Sequence, residues 1–267
     1  MRTTLKDIAN YLNVSTTTVS RALNDKDDIS YGMRQKVLEV ARLLDYKPNS
    51  VAISLRKKTT SNLLGVIIPQ VDHYFFSTIL HGLTTTASSN EYLLMIGESD
   101  HNVDTEKKII NQFHDHYVAG IVYIPSRHTR SRDNVLLLQS RGTPFILIDR
   151  TFKDYTGSFI QHDDYQGAFD AVIHLAKKGR RRIAMLRGDQ DCSVSHARYQ
   201  GYLAALDSAR LSFDQKLVIS CINASKIEGY NAAKFLFENE DNPDGIFCIT
   251  DQLAVGVLDY ASENRIN

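Results

Sequence analysis

Between Ser15 and Asn24 the chain sets out Ser15, Thr16, Thr17, Thr18, Ser20, Arg21 and Asn24, with no acidic side chain until Asp25. Hydroxyls and amides bond phosphate oxygens and hold a protein in register on a duplex. An arginine, like residues in the first turn of a helix, reaches base edges in the major groove. The chemistry these residues suit is DNA recognition. An ordinary solvated helix is the competing reading, but three consecutive threonines form helix poorly and need an offsetting reason.

To act together, these side chains must share one exposed helix face. Val19 and Leu23, one turn apart, supply the inward side of such a helix, and Ser15 is placed to cap it. Upstream, Leu5, Ile8, Ala9 and Leu12 recur at helical spacing, and Thr4 with Asp7 three residues on has the form of a capping box. Asn13-Val14 separates the two patterns, so residues 5–12 and the stretch after Ser15 read as a helix-turn-helix. Ile29-Ser30 opens a third helix whose Val37, Leu38, Ala41 and Leu44 mark the buried face, while Gly32 weakens its first turn. Pro48 stops that helix, residues 50–56 have room for about two turns, and the polar tail to Asn62 reads as a linker. So short a helix needs a partner to persist. On DNA, Leu55 would wedge between base pairs in the minor groove with Asn49 and Arg56 near phosphates; the competing reading is a plain interdomain linker.

Composition sets the frame. The 267 residues, 43% hydrophobic, suffice for two globular domains. Zero net charge argues against a general nucleic-acid coat protein, yet residues 1–60 carry 11 Lys or Arg against 6 Asp or Glu, whereas the rest carries 20 against 25. The basic character travels with the helix-turn-helix. Cys192, Cys221 and Cys248 lie far apart, without CxxC spacing or a compact Cys/His cluster, and read as buried, reduced thiols; no metal or other cofactor is expected. The chain has no P-loop, no GxSxG and no HExxH, so the nine histidines and the Asp163-Asp164 pair read as solvated or structural, and no catalytic residue is expected. There is no secretory signal after Met1 and the longest apolar runs are strand-sized, so the expected location is cytoplasmic, with no membrane partner.

Three segments together carry a family resemblance: Thr-Leu-Lys-Asp-Ile-Ala at 4–9, Val-Ser-x-x-Thr-Val-Ser-Arg-x-Leu-Asn at 14–24, and Tyr-Lys-Pro-Asn-x-x-Ala-x-x-Leu at 46–55. In this order and spacing they closely resemble the N-terminal signature of the lactose-repressor-like (LacI/GalR) family. The resemblance implies a homodimer on a near-palindromic operator, with paired helix-turn-helix heads and hinge helices that fold in the minor groove. By position it makes Thr16, Thr17 and Arg21 the readers of base edges, and Ser15, Thr18, Ser20 and Asn24 the holders of phosphates. Thr4 and Leu5 match family positions near the backbone and the turn, and Ala52 and Leu55 match the minor-groove pair. Thr16-Thr17 is the family's variable specificity pair.

From Leu63 onward, near-continuous Val, Ile and Leu runs alternate with amphipathic stretches. Strands are expected at 63–69, 92–98, 119–125, 144–149 and 158–162, with helices at 75–90, 105–116 and 133–141 between them. A second alternation follows, with helices at 164–179, 195–209 and 225–239 and strands at 182–187, 217–221 and 245–250. Such strands form parallel sheets covered on both faces, and ligands sit beyond their carboxyl ends, in the crevice between lobes. The expected fold is an all-α helix-turn-helix head plus an α/β two-lobed domain. Its divisions are a head at 1–47, a hinge and linker at 48–62, a first lobe at 63–162 and a second at 163–267.

Strand ends then nominate ligand contacts. Phe75 and Phe76 are placed either to stack on a sugar ring or base or to pack in the core, and Arg150 is placed to line the cleft. The resemblance extends here to the family's periplasmic-binding-protein-like effector domain. It matches Arg198 to an arginine that meets ligand hydroxyls or carboxylate, and Thr250-Asp251 to an Asn-Asp segment, with Thr250 a departure. Asp251 would accept ligand hydroxyls or cap the next helix. Family members continue past a segment like Asn264-Arg265-Ile266-Asn267 for roughly 70 residues that complete both lobes, so the second lobe is expected to be incomplete and dimerisation impaired. The expected function is a transcription regulator of repressor type, set by a small metabolite of the carbohydrate class. A DNA-binding protein without ligand response and a transport-type receptor are the alternatives.

Overall fold

The computed structural model describes residues 3–46, 61–238 and 242–266. The chain divides into two compact units, Met1–Ser61 and Asn62–Asn267.

In the first unit, α1 (Leu5–Leu12), α2 (Thr16–Leu23) and α3 (Tyr31–Leu43) enclose Ile8, Ala9, Val19, Ala22, Val37, Val40 and Ala41. Each helix starts on a hydroxyl-bearing residue. Thr4 donates from its backbone N–H and its hydroxyl to the Asp7 carboxylate, both at 2.7 Å; Ser15 Oγ accepts from Thr18 N at 3.0 Å, and Ser30 Oγ from Met33 N at 3.4 Å. The tight turn between α1 and α2 is made by Asn13, whose φ of 50° is left-handed, a conformation asparagine tolerates better than most residues. The inward side of α2 is Val19 with Ala22, and Leu23 is only half-buried.

In the second unit, β1 (Leu63–Ile68), β2 (Leu93–Glu98), β3 (Gly120–Tyr123), β4 (Phe145–Ile148) and β5 (Phe159–Ile160) form a parallel sheet ordered β2-β1-β3-β4-β5. Helix α4 (Tyr74–Ser89) covers one face through Phe76, against Ile68 and Ile124. Helices α5 (Val103–Asp115) and α6 (Asp133–Ser140) cover the other through Ile109, Ile110, Phe113, Val135 and Leu138.

The second sheet, β7-β6-β8, is also parallel, with β6 (Ile183–Arg187) between β7 (Val218–Ser220) and β8 (Gly245–Cys248). It packs with α7 (Asp164–Lys177), α8 (Ser193–Ser208), α9 (Lys226–Glu238) and α10 (Asp251–Glu263). Two expected strands are shorter than their apolar runs. Residues 215–217 are a 3-10 turn before β7, and β8 ends before Ile249 because Thr250 turns outward to cap α10, accepting from Leu253 N at 3.4 Å.

Helices α9 and α10 approach closely at two glycines. A Cβ on Gly229 would strike the backbone of Leu253, and one on Gly256 the backbone carbonyl of Lys226. Backbone cannot yield as a flexible side-chain tip can, so Gly256→Ala is expected to destabilise the second unit by about 1–3 kcal/mol. A urea midpoint unchanged from the parent protein would show that the two helices separate freely.

Candidate functional site

The first candidate surface is the outer side of α2. Thr16, Thr17 and Arg21 are exposed and Thr18 and Ser20 half-buried. Several of the expected phosphate holders already have local partners: the Ser15 and Thr18 hydroxyls lie 2.9 Å apart, and Asn24 Nδ2 donates to the Ser20 carbonyl at 2.7 Å. Leu5 packs on the three-helix core, and Thr4 is committed to Asp7. Thr16 and Thr17, in the first turn of a capped helix, present hydroxyls and a helix N-terminus to solvent.

Arg21 is not free. Its Nε donates to Asp28 Oδ1 at 3.0 Å, and a second guanidinium nitrogen lies 2.6 Å from Asp28 Oδ2, a fork-to-carboxylate pair with both side chains half-exposed. A fork engaged with a carboxylate cannot at the same time engage a guanine edge, so base reading exchanges one partner for the other. Nothing in the local pattern of α2 marks Asp28, because the loop 24–30 must fold back to bring it to Arg21. Asn49, Ala52, Leu55 and Arg56 lie outside the described residues.

The second candidate site is a cleft of about 920 Å³ in the second unit, between loops that leave the carboxyl ends of β3, β4 and β6. From the first lobe come Pro125, Ser126, Arg127, Thr129, Arg130, Ser131 and Arg132, together with 150–154; from the second come Gln190, Asp191, Cys192, Ser193 and His196. The loop after β3 is held from beneath by Glu106, which is fully buried on α5. Its carboxylate accepts from Tyr123 Oη at 2.6 Å, Ser126 N at 2.6 Å, Thr129 Oγ1 at 2.9 Å and Asn134 Nδ2 at 3.1 Å. Burial pushes its pKa up even so, and these four donors are what offset the desolvation.

This loop and the one after β4 reach across to the second lobe. Arg127 Nη1 donates to the Asn223 carbonyl at 2.6 Å, Arg130 pairs with Asp189 at 3.0 Å and also with Asp191, and Thr151 N donates to Ser193 Oγ at 3.2 Å. Arg150 Nη1 donates to the Pro125 carbonyl at 2.8 Å, its guanidinium carbon lies 5.5 Å from the Phe76 ring centroid, and its Nε is 3.5 Å from Asp149. Burial, reinforced by repulsion from Arg150, holds the Arg127 guanidinium below its usual pKa. His73 is held down by burial and then by Arg150 and Arg127, and His101 by burial and then by Arg127 and Arg150, to about 3. Both imidazoles are therefore neutral at pH 7.

Of the residues expected to meet a ligand, Arg150 lines this cleft. Phe75 lines a smaller neighbouring cavity of about 240 Å³ with Ile79, Ile148, Asp149, Ile160, Gln161 and His162. Phe76 is 3% exposed and belongs to the core, because the apolar face of α4 needs a large side chain against Ile68 and Ile124. Arg198 lines neither cavity: its Nε and a terminal nitrogen engage Asp164 at 2.8 and 2.7 Å, and its other nitrogen meets the Ile249 carbonyl. The cap of α10 is Thr250, not Asp251, which lies exposed in the first turn. Arg127, Arg130, Arg132 and Lys153 escaped the sequence reading, although the run Ser-Arg-His-Thr-Arg-Ser-Arg directly after an apolar strand was a legible signal. Among the described residues, no group of His, Cys, Asp and Glu side chains could hold a metal ion, and no helix is long and apolar enough to cross a membrane.

Comparison with known proteins matches both units. Residues 4–49 match the family described as bacterial regulatory proteins, lacI family, and residues 61–266 match periplasmic binding proteins and sugar binding domain of LacI family. Catabolite control protein A of Priestia megaterium is 30% identical over 268 residues, covering 100% of this chain and 80% of that protein. The HTH-type transcriptional repressor CytR of Escherichia coli (strain K12) is 30% identical over 263 residues, covering 98% and 76%. Among solved structures, the lac repressor dimer bound to operator and the anti-inducer ONPF aligns with a TM-score of 0.80 at 22% identity, over 100% of this chain and 79% of that one, a likeness of fold.

Two outcomes test this geometry. Asp28→Asn releases the Arg21 fork and removes a charge that repels phosphate, so DNA affinity should rise, by about 0.5–1 kcal/mol for so exposed a pair; fluorescence anisotropy showing no gain would mean that Arg21 is not limited by Asp28. His101 is neutral in the folded chain down to about 3 but titrates at its ordinary 6.5 when unfolded. The unfolded state thus binds more protons in that window, and stability is lost as pH falls from 6.5 toward 3. His101→Asn should flatten this slope in urea titrations at successive pH values, and identical slopes would refute the assignment.

Proposed function

The chain belongs to the LacI family of bacterial regulatory proteins, and we propose that it works in the cytoplasm as a homodimeric repressor of a near-palindromic operator, set by a small carbohydrate-class metabolite. Sequence-specific DNA binding in transcription regulation is the family's activity. The observation that carries the finer reading is the outer side of α2. There Thr16, Thr17 and Arg21 project from a helix whose other side is locked into a three-helix core, so the reading face is rigid and acid-free apart from Asp28. Thr16, Thr17 and Arg21 read bases, Ser15, Thr18, Ser20 and Asn24 position the backbone, and Asn49, Ala52, Leu55 and Arg56 serve the hinge in the minor groove.

The ligand acts on the cleft. Its loops already bridge the lobes through Arg127, Arg130 and Thr151, so a molecule seated among them changes the free energy of one lobe arrangement relative to another. Operator affinity follows from that shift, and the same parts serve induction or corepression.

Selection of bound sequences from a random DNA pool at physiological salt, where non-specific electrostatic binding fades, tests the first half. A two-fold symmetric site should be enriched. Arg21→Ala should then cost about 1–3 kcal/mol and relax preference at one base pair per half-site. An unsymmetric pool, or an unchanged preference in the variant, would remove Arg21 from the reading set.

A further inference from the structure

Five cations line the 920 Å³ cleft, namely Arg127, Arg130, Arg132, Arg150 and Lys153, against the carboxylates of Asp154 and Asp191. Arg130 is neutralised by Asp189 and Asp191, and Arg150 has Asp149 at 3.5 Å. Among the described residues, no carboxylate lies within ion-pair distance of Arg127, Arg132 or Lys153. Arg132 and Lys153 stand exposed at the rim, and Arg127, deeper in the cleft, feels the repulsion of Arg150 with only the more distant Glu228 and Asp100 to oppose it.

The hydrogen-bonding inventory points the same way. Guanidinium and ammonium groups only donate, whereas each hydroxyl of a neutral sugar both donates and accepts. A donor-rich lining suits a group whose oxygens only accept. Arg127 Nε and Arg150 Nε are buried donors with no hydrogen-bond partner in the protein. Buried donors without acceptors are costly, and an acceptor supplied by a ligand would recover that cost. The first turn of α8 faces the same space through Ser193 and His196, and its N-cap residue, Cys192, makes no side-chain cap, so the positive end of a sixteen-residue helix adds to the field.

We infer that the molecule this cleft takes is an anion, a phosphate- or carboxylate-bearing sugar derivative whose charged group is gripped by Arg127 and Arg150 beside the N-terminus of α8. This deepens the reading of the cleft as the effector site and rests on it. The sugar skeleton would lie toward Ser126, Thr129 and Ser131, whose hydroxyls already donate to the His101 carbonyl, Glu106 and Asp133 and are left to accept from it, and the bridges from Arg127 and Arg130 to the second lobe are the contacts that the anion competes for.

Calorimetric titration of the full chain with glucose 6-phosphate, glucuronate, glucose and inorganic phosphate tests it. One of the two charged sugars should bind at least about tenfold more tightly than glucose, and the preferred one tells phosphate from carboxylate. Arg150→Gln and Arg127→Gln should each lose about tenfold toward that probe, and Arg150→Lys should keep part of it. Arg132→Gln, at the rim, serves as the variant least able to disturb folding and should weaken binding by a smaller factor. Glucose binding as well as its charged counterparts, with affinity indifferent to Arg127 and Arg150, would overturn the anion while leaving the effector cleft intact. No binding of any probe at millimolar concentration would overturn both.

Discussion

Parallel strands cannot be joined by hairpins. Each must return through a crossover, which gathers every carboxyl end along one edge of its sheet. In this chain that constraint builds the cleft: the segments that follow β3, β4 and β6 supply the side chains that line it. The apolar content of the strands makes the sheets, and the sheets decide where the polar loops must emerge. Loops in such a position carry unpaired backbone and charge, so they need an internal scaffold.

Glu106 is that scaffold. A carboxylate with no solvent exposure is tolerated because Tyr123, the Ser126 backbone, Thr129 and Asn134 converge on it, and the same four bonds fix the curve of residues 123–134. Three arginines ride on that curve and point to three different environments: Arg127 to the Asn223 carbonyl, Arg130 to Asp189 and Asp191, Arg132 to the Asp154 carbonyl at 3.4 Å. The buried carboxylate of one lobe thereby positions Arg127 and Arg130, which contact the other. In the head, local capping plays the equivalent part. Ser15 sets the start of α2, Asn13 turns the chain, and the polar face that results is the one available to a duplex.

Local sequence determined a great deal about this protein. The capping signals at Thr4, Ser15 and Ser30, the inward Val19 and the alternation of apolar strands with amphipathic helices each act through neighbours within four residues or through a two-residue or 3.6-residue period, so they are legible in one dimension. The three N-terminal motifs were legible for the same reason, and they carried the family. What only the tertiary structure decided are the pairings between distant segments: Arg21 with Asp28 across a folded-back loop, Arg198 with Asp164 across two helices, Phe76 into the core while Phe75 faces a cavity, and the loop arginines with the opposite lobe. A charged side chain takes whichever partner the fold brings within a few ångströms, and its own neighbours in sequence do not encode that partner. The physical reason is range: caps and hydrophobic periods are satisfied within a turn or two of chain, whereas ion pairs and cleft linings are satisfied by whatever the packing of whole elements places opposite.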